Sequence, residues 1–243
     1  MSALLLQGTI LYTQTALVVN GNVGSAIPFP FSNIPEERSA VMKLRPSLGL
    51  QYNKELGGPS FLKFNALYSV KAVDFSATLV DQPYNGYVEY DVGGQIAEGY
   101  VEDAYFSGIS NGSYNMKYIE LNASYARKLA PTFSVYAGIY LAFLLQADNE
   151  IYVKGTVSHG VGLPPISSEF DRTENYSHHV NGTDFGFQVG VEHKIYKRLN
   201  VNGQFSSSLH SIYDNELTAL DFSMLNMYAT LGITYFITSS IYR

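Results

Sequence analysis

Apolar and polar residues alternate with a period of two along unusually long segments of this chain, and one face of each segment is almost uniformly greasy. The last segment is the cleanest: Leu225, Met227, Ala229, Leu231, Ile233 and Tyr235 fall on one side, and Asn226, Tyr228, Thr230, Gly232 and Thr234 on the other. Another sets Phe133, Val135, Ala137, Ile139, Leu141, Phe143 and Leu145 against Ser134, Tyr136, Gly138, Tyr140, Ala142 and Gln146. Segments of the same kind begin near Met42, Leu62, Ile119, Phe185 and Leu199, and a less regular one over residues 4–18 supplies the eighth. Successive side chains of a strand point to opposite faces, so the pattern demands extended chain.

The length of the segments decides which face meets which medium. Strands of soluble sandwiches usually run about five or six residues. These run about 10 to 13, near the roughly 9 to 11 that cross a bilayer at a tilt. Their polar faces are rich in Gly, Ser, Asn, Gln and Tyr with few charges, which suits a crowded lumen better than open water. The expected arrangement is therefore inside out, with apolar residues toward lipid and polar residues inward.

The connections alternate in length. Residues 54–60, 127–132 and 194–198 are short; residues 19–40, 76–114, 147–183 and 213–224 are long. The short ones carry Lys54, Arg127, Lys128, Lys194, Lys197 and Arg198, whereas most Asp and Glu fall in the long ones. No Lys or Arg occurs between Lys71 and Lys117. This is the layout of an eight-stranded antiparallel up-and-down transmembrane β-barrel with long extracellular loops and short periplasmic turns, occupying residues 1–243 as one domain.

Composition removes other classes. The net charge of −6 argues against a nucleic-acid partner, which calls for a basic face. The absence of Cys excludes disulfide scaffolds, thiolate metal sites and cysteine nucleophiles. No apolar run is long enough for a transmembrane helix. The first residues lack a basic stretch, and Gln7, Thr9, Thr13 and Gln14 interrupt any apolar one, so a mature outer-membrane chain without its signal peptide is expected. A soluble lipocalin-type carrier is the competing all-β reading, but the chain has no Trp for the Gly-x-Trp signature of that family.

The run Lys117-Tyr118-Ile119-Glu120-Leu121-Asn122-Ala123-Ser124-Tyr125, followed by a basic turn and by Phe133-Ser134-Val135-Tyr136-Ala137-Gly138-Ile139-Tyr140-Leu141, resembles the central hairpin of the PorT-like outer-membrane barrels of Bacteroidota. The segments at 184–192 and 228–236 are similar to that family's last strands. Asn122 and Ile139 stand where the family often has Pro, and the chain runs on past the aromatic terminus to Arg243. The resemblance implies an eight-stranded outer-membrane barrel. It carries over no catalytic residue, and some members of the family serve secretion and gliding machinery.

Several constellations are candidates for function. Arg45, Lys63, Glu120 and Glu192, with Lys71 and Lys194, point inward; they are read as a paired lumen cluster rather than an ion path, because unpaired buried charge is costly. An eight-stranded barrel is just wide enough to be filled by side chains, which argues against a diffusion pore. His210 and Ser211, with Glu216, invite comparison with barrel hydrolases, yet adjacent strand residues diverge and cannot form a nucleophile–base pair. His159, His178 and His179 with Glu169, Asp171 and Glu174, and the acids Asp81, Glu89, Asp91, Glu102 and Asp103, are read as solvated loop residues rather than metal ligands. Val157, His159, Val161, Leu163, Ile166 and Phe170 belong to the third long loop, and its apolar members either form an exposed docking surface or fold down over the barrel mouth.

The function expected is non-catalytic and cofactor-free: a binding or scaffold subunit whose barrel holds extracellular loops toward a partner within a larger envelope complex. Its surroundings would be outer-membrane lipid and lipopolysaccharide, its partners other envelope proteins. The alternative is a small barrel enzyme that modifies lipid A or surface polysaccharide through His210 or Glu120.

Overall fold

A computed structural model describes residues 13–29, 38–92, 95–159, 168–214 and 223–238. Ten strands run through them: β1 (Thr13–Phe29), β2 (Arg38–Met42), β3 (Arg45–Gly57), β4 (Ser60–Val92), β5 (Gln95–Ala130), β6 (Phe133–His159), β7 (Ser168–Asn175), β8 (Thr183–Tyr196), β9 (Leu199–Ser208) and β10 (Ser223–Phe236). One turn of 3-10 helix, Ser177–His179, precedes β8.

Eight strands close into a ring, in the order β1, β3, β4, β5, β6, β8, β9, β10 and back to β1, with every pairing antiparallel. Closure is made by β1 and β10, matched from Ala16↔Phe236 to Phe29↔Ser223. A closed ring leaves no unpaired edge within the hydrocarbon, where an unsatisfied peptide group would cost several kcal/mol. The short turns fall at one end. The turn from β3 to β4 uses Gly57 and Gly58 at φ +99° and +61°, which glycine adopts without a steric penalty.

The alternation read from the sequence sets the two faces. Val19, Ile139 and Leu231 are 62%, 66% and 71% exposed on the outer wall, while Gln51, Lys63 and Thr234 on the inner face are at most 2% exposed. The side chains of Tyr52, Tyr125, Tyr196 and Tyr235 form an outer aromatic band toward the short-turn end, the position that amphipathic rings favour at a membrane interface. A soluble barrel would place the greasy face inside, so the lipocalin-type alternative fails on which side is apolar.

Three expectations are corrected by the strand limits. Among the described residues the first strand is Thr13–Phe29, where residues 4–18 were expected; the first nine of those lie outside the described residues. Half of the first long connection, residues 19–29, is therefore strand. Residues 76–114 are not a loop either, because β4 and β5 stay paired from Ser60↔Arg127 out to Val92↔Gln95. Most of residues 147–183 is likewise strand: β6 continues to His159 and β7 folds back on it, matched from Glu150↔Asn175 to Val157↔Ser168. The physical reason is common to all three. Outside the bilayer both faces of a strand meet water or small local clusters, so the contrast between faces fades while hydrogen-bonded pairing continues.

Candidate functional site

The lumen is filled by side chains bonded across it. Lys63 on β4 donates to Glu192 on β8 at 2.7 Å, its ammonium lies 4.1 Å from the Tyr136 ring centre, and the Asn200 amide donates to the other Glu192 oxygen. Tyr136 can take this place because Gly190 faces it; a Cβ there would lie 2.4 Å from the ring. Nearer the extracellular side, Lys71 lies 3.4 Å from Asp184 and 3.6 Å from Glu120, beneath the rings of Tyr118, Tyr140 and Tyr228 at 5.0–5.3 Å. Asp184 also accepts from Tyr140 at 3.2 Å and from the Asn226 amide at 2.8 Å. Neutral bonds fill the space between, including Gln188 to Ser124 at 2.7 Å and Asn22 to Ser69 at 3.0 Å.

Of the four residues expected to share a cluster, Lys63 and Glu192 meet directly. Glu120 joins a separate group around Lys71, and Arg45 is half-buried on the inner face of β3, its Nε without a hydrogen-bond partner among the described residues. Arg45, Lys63 and Lys71 are matched in number by Glu120, Asp184 and Glu192, so these inward charges sum to zero. Asp184 was the acid that sequence reasoning left out; it keeps step with Gly186, Gln188, Gly190 and Glu192, and that phase was the available signal. Beside Lys71 and Glu120 lies a cavity of only about 10 Å³, about one water.

Above this packing the mouth is plugged. Tyr114 stacks on Phe75 at 5.0 Å and packs against Tyr213 at 6.2 Å, which meets Tyr176 at 6.5 Å; Val73, Met116, Val180, Ile212 and Met224 complete the cluster. Two segments form the plug's roof and are latched to each other. The Asn181 amide donates to the carbonyls of Ser211 and Tyr213, Val180 bridges Tyr213, and His179 faces Asp214 at 3.3 Å. Fully buried Asn149 ties this roof to the wall through Ser177 and the Tyr213 hydroxyl. Burial pushes the Tyr176 phenol up to about 12 and raises that of Tyr213 as well.

The plug disposes of two candidate constellations. His210 Nε2 is bonded to the Thr183 carbonyl at 2.9 Å and its ring stacks on Phe185 at 4.6 Å, outside the lumen. Ser211 Oγ accepts from the backbone N–H groups of Tyr213 and Met224. Glu216 lies outside the described residues. His178 is exposed and His179 is taken up by Asp214, and no three metal-type side chains converge among the described residues.

Beyond the membrane β4, β5, β6 and β7 continue as a curled sheet, with β2 beside β4. Its inner face buries Val88, Val101, Ala104, Phe106 and Val157, with Leu79, Tyr84 and Val153 against them. Arg172 on β7 pairs with Glu174 and donates to the Tyr84 hydroxyl on β4 at 3.3 Å, drawing the first and last strands together. Burial raises the Tyr84 phenol, opposed by Arg172. The Lys154 ammonium, 3.0 Å away, holds the Asp171 carboxyl below its usual range. Two bulges turn the hairpin: Asp81 and Asp103 adopt φ of +49° and +54°, and their N–H groups donate to Ser107 and Asn85 side chains. Val157, expected as an exposed docking residue or part of a mouth cover, is instead core of this sheet. Val161, Leu163 and Ile166 lie outside the described residues; of His159 and Phe170 only the strand positions are described.

Over residues 19–214 the sequence matches the family described as outer membrane protein beta-barrel domain. The chain belongs to that family. It is an integral outer-membrane barrel. The barrel is similar in fold to Ail, the attachment invasion locus protein of Yersinia pestis, crystallised with the heparin analogue sucrose octasulfate, at 10% identity and a TM-score of 0.39, covering 93% of this chain and 99% of that one. Neisserial surface protein A aligns at 9% identity and 0.38, covering 92% and 98%, and OprG of Pseudomonas aeruginosa at 9% and 0.31, covering 93% and 97%. No curated protein matches the chain.

Proposed function

We propose that this barrel is a non-catalytic anchor that presents the curled extracellular sheet to another envelope component. The observation that carries the reading is the pairing of β4 with β5, which continues through two bulges from the membrane out to Val92↔Gln95. Paired strands hold their outer faces in fixed positions, so partner contacts avoid the ordering cost of flexible loops. The presented face has a definite character. Tyr87 and Tyr100 pack edge to face at 5.3 Å on its exposed side, and Tyr105 and Ile109 are exposed further along β5. The hairpin between Lys71 and Lys117 carries seven acids and no Lys or Arg. Tyrosine supplies contact area at low side-chain entropy cost, a property of recognition surfaces.

A transport role is disfavoured by the bonded lumen and the plugged mouth. An enzymatic role through His210 or Glu120 is disfavoured because His210 is tied to the backbone and Glu120 is held by Lys71 inside the wall. The finer placement among the PorT-like barrels of Bacteroidota, as a subunit of a secretion, motility or uptake complex, rests on the resemblance of residues 117–141, 184–192 and 228–236 and is part of this proposal.

The test is a photo-activated cross-linking residue placed at Tyr87 or, for comparison, at Tyr196 on the opposite end, in intact cells. Protein adducts at Tyr87, with lipid A mass unchanged by loss of the gene, are the expected result. An altered lipid A mass, or no protein adduct at Tyr87, contradicts the proposal.

A further inference from the structure

The periplasmic mouth is built differently from the rest of the lumen. It opens into a cavity of about 90 Å³, several times the roughly 10–15 Å³ that a single water needs. Its rim comes from the ends of β5 and β8 and the turns that follow them, which contribute Lys128, Lys194, Lys197 and Arg198. Glu192 forms part of its lining, with Lys63 bonded to it, and Phe61, Phe133 and Phe236 supply apolar wall. Deeper in the barrel, Arg45 and Lys71 are matched in number by Glu120 and Asp184. Here Lys63 and the four rim cations face two carboxylates, Glu55 and Glu192. Glu55 lies 3.8 Å from Lys128, and Glu192 is taken by Lys63 and Asn200.

We propose that this mouth is a phosphate-binding site. A planar guanidinium fork with several ammonium groups suits the tetrahedral oxygens of a phosphate, and Asn53, Ser134 and Thr132 on the wall offer neutral hydrogen bonds. The exposed rim side chains of Lys197 and Arg198 stand where an inner-leaflet headgroup would lie, close to the outer tyrosine band. The phosphate belongs either to a phospholipid headgroup or to a soluble phosphate of the periplasm. The site is separate from the extracellular sheet and does not depend on the role proposed for it.

The test uses the full-length protein in mild detergent. Inorganic phosphate is titrated in a chloride buffer with the heat-unfolding midpoint as readout, and native mass spectrometry records phospholipid adducts after addition of phosphatidylglycerol. Saturable stabilisation by phosphate, weakened about tenfold in the Lys197→Gln/Arg198→Gln double variant, is expected. A phospholipid adduct lost in that variant and displaced by phosphate identifies the headgroup as the source. Phosphate binding without an adduct identifies the soluble ion. Lys128→Gln, at the end of β5, gives an independent reading should the double variant fail to fold. Absence of both phosphate and lipid binding, or binding unchanged by these variants, overturns the proposal.

Discussion

Lys63 and Glu192 meet at 2.7 Å across the lumen, from strands β4 and β8 that are not neighbours in the ring. The pair bolts opposite walls together, with each side chain only 3% exposed. Such pairs hold their geometry at the expense of desolvating both charges, so their worth shows when one partner is removed.

Lys63→Met is expected to destabilise the barrel by about 3–5 kcal/mol, because Glu192 is left buried without its counter-charge. The double variant Lys63→Met/Glu192→Leu should recover most of that loss. The chain has no Trp, so urea unfolding is followed by circular dichroism or by heat-modifiable gel migration.

Asp103 sits at φ +54° in the extracellular bulge. Left-handed backbone costs roughly 1–2 kcal/mol for an ordinary side chain and nothing for glycine. Asp103→Val should therefore speed amide exchange locally on both strands of the hairpin tip, whereas Asp103→Gly should leave it close to wild type.

The roof should loosen at high pH. Tyr176 has its phenol pushed up to about 12, against about 10 in an unfolded chain. A raised folded value means the native state holds its proton longer. Its contribution to stability is thus complete below pH ~10 and lost as pH rises toward ~12. Tyr176→Phe should flatten that part of the pH dependence, read from unfolding midpoints measured across this window.

The barrel was legible because hydrocarbon imposes a sharp contrast between faces. Ile139 beside Tyr140, or Leu231 beside Thr230, declares its side in a single step. The charged pairs were half legible: alternation put Lys63 and Glu192 inside, but which lysine meets which carboxylate depends on ring closure and strand tilt. The extracellular sheet was hidden. Tyr87, Gly99, Tyr100 and Ser107 lie in strands there, yet tyrosine, glycine and serine between acids read as turn and loop where neither face is greasy. Val157 shows the cost of judging exposure from loop membership, since its burial comes from Val88 and Val101, more than fifty residues away in sequence.

Hydrogen–deuterium exchange on the barrel in lipid nanodiscs tests the central claim that the extracellular hairpin is rigid sheet continuous with the membrane strands. Backbone amides of residues 78–90 and 98–110 should exchange orders of magnitude more slowly than an unstructured loop, with protection running unbroken into residues 60–72. Exchange of those amides at the rate of free peptide, with protection ending at the membrane surface, would contradict it.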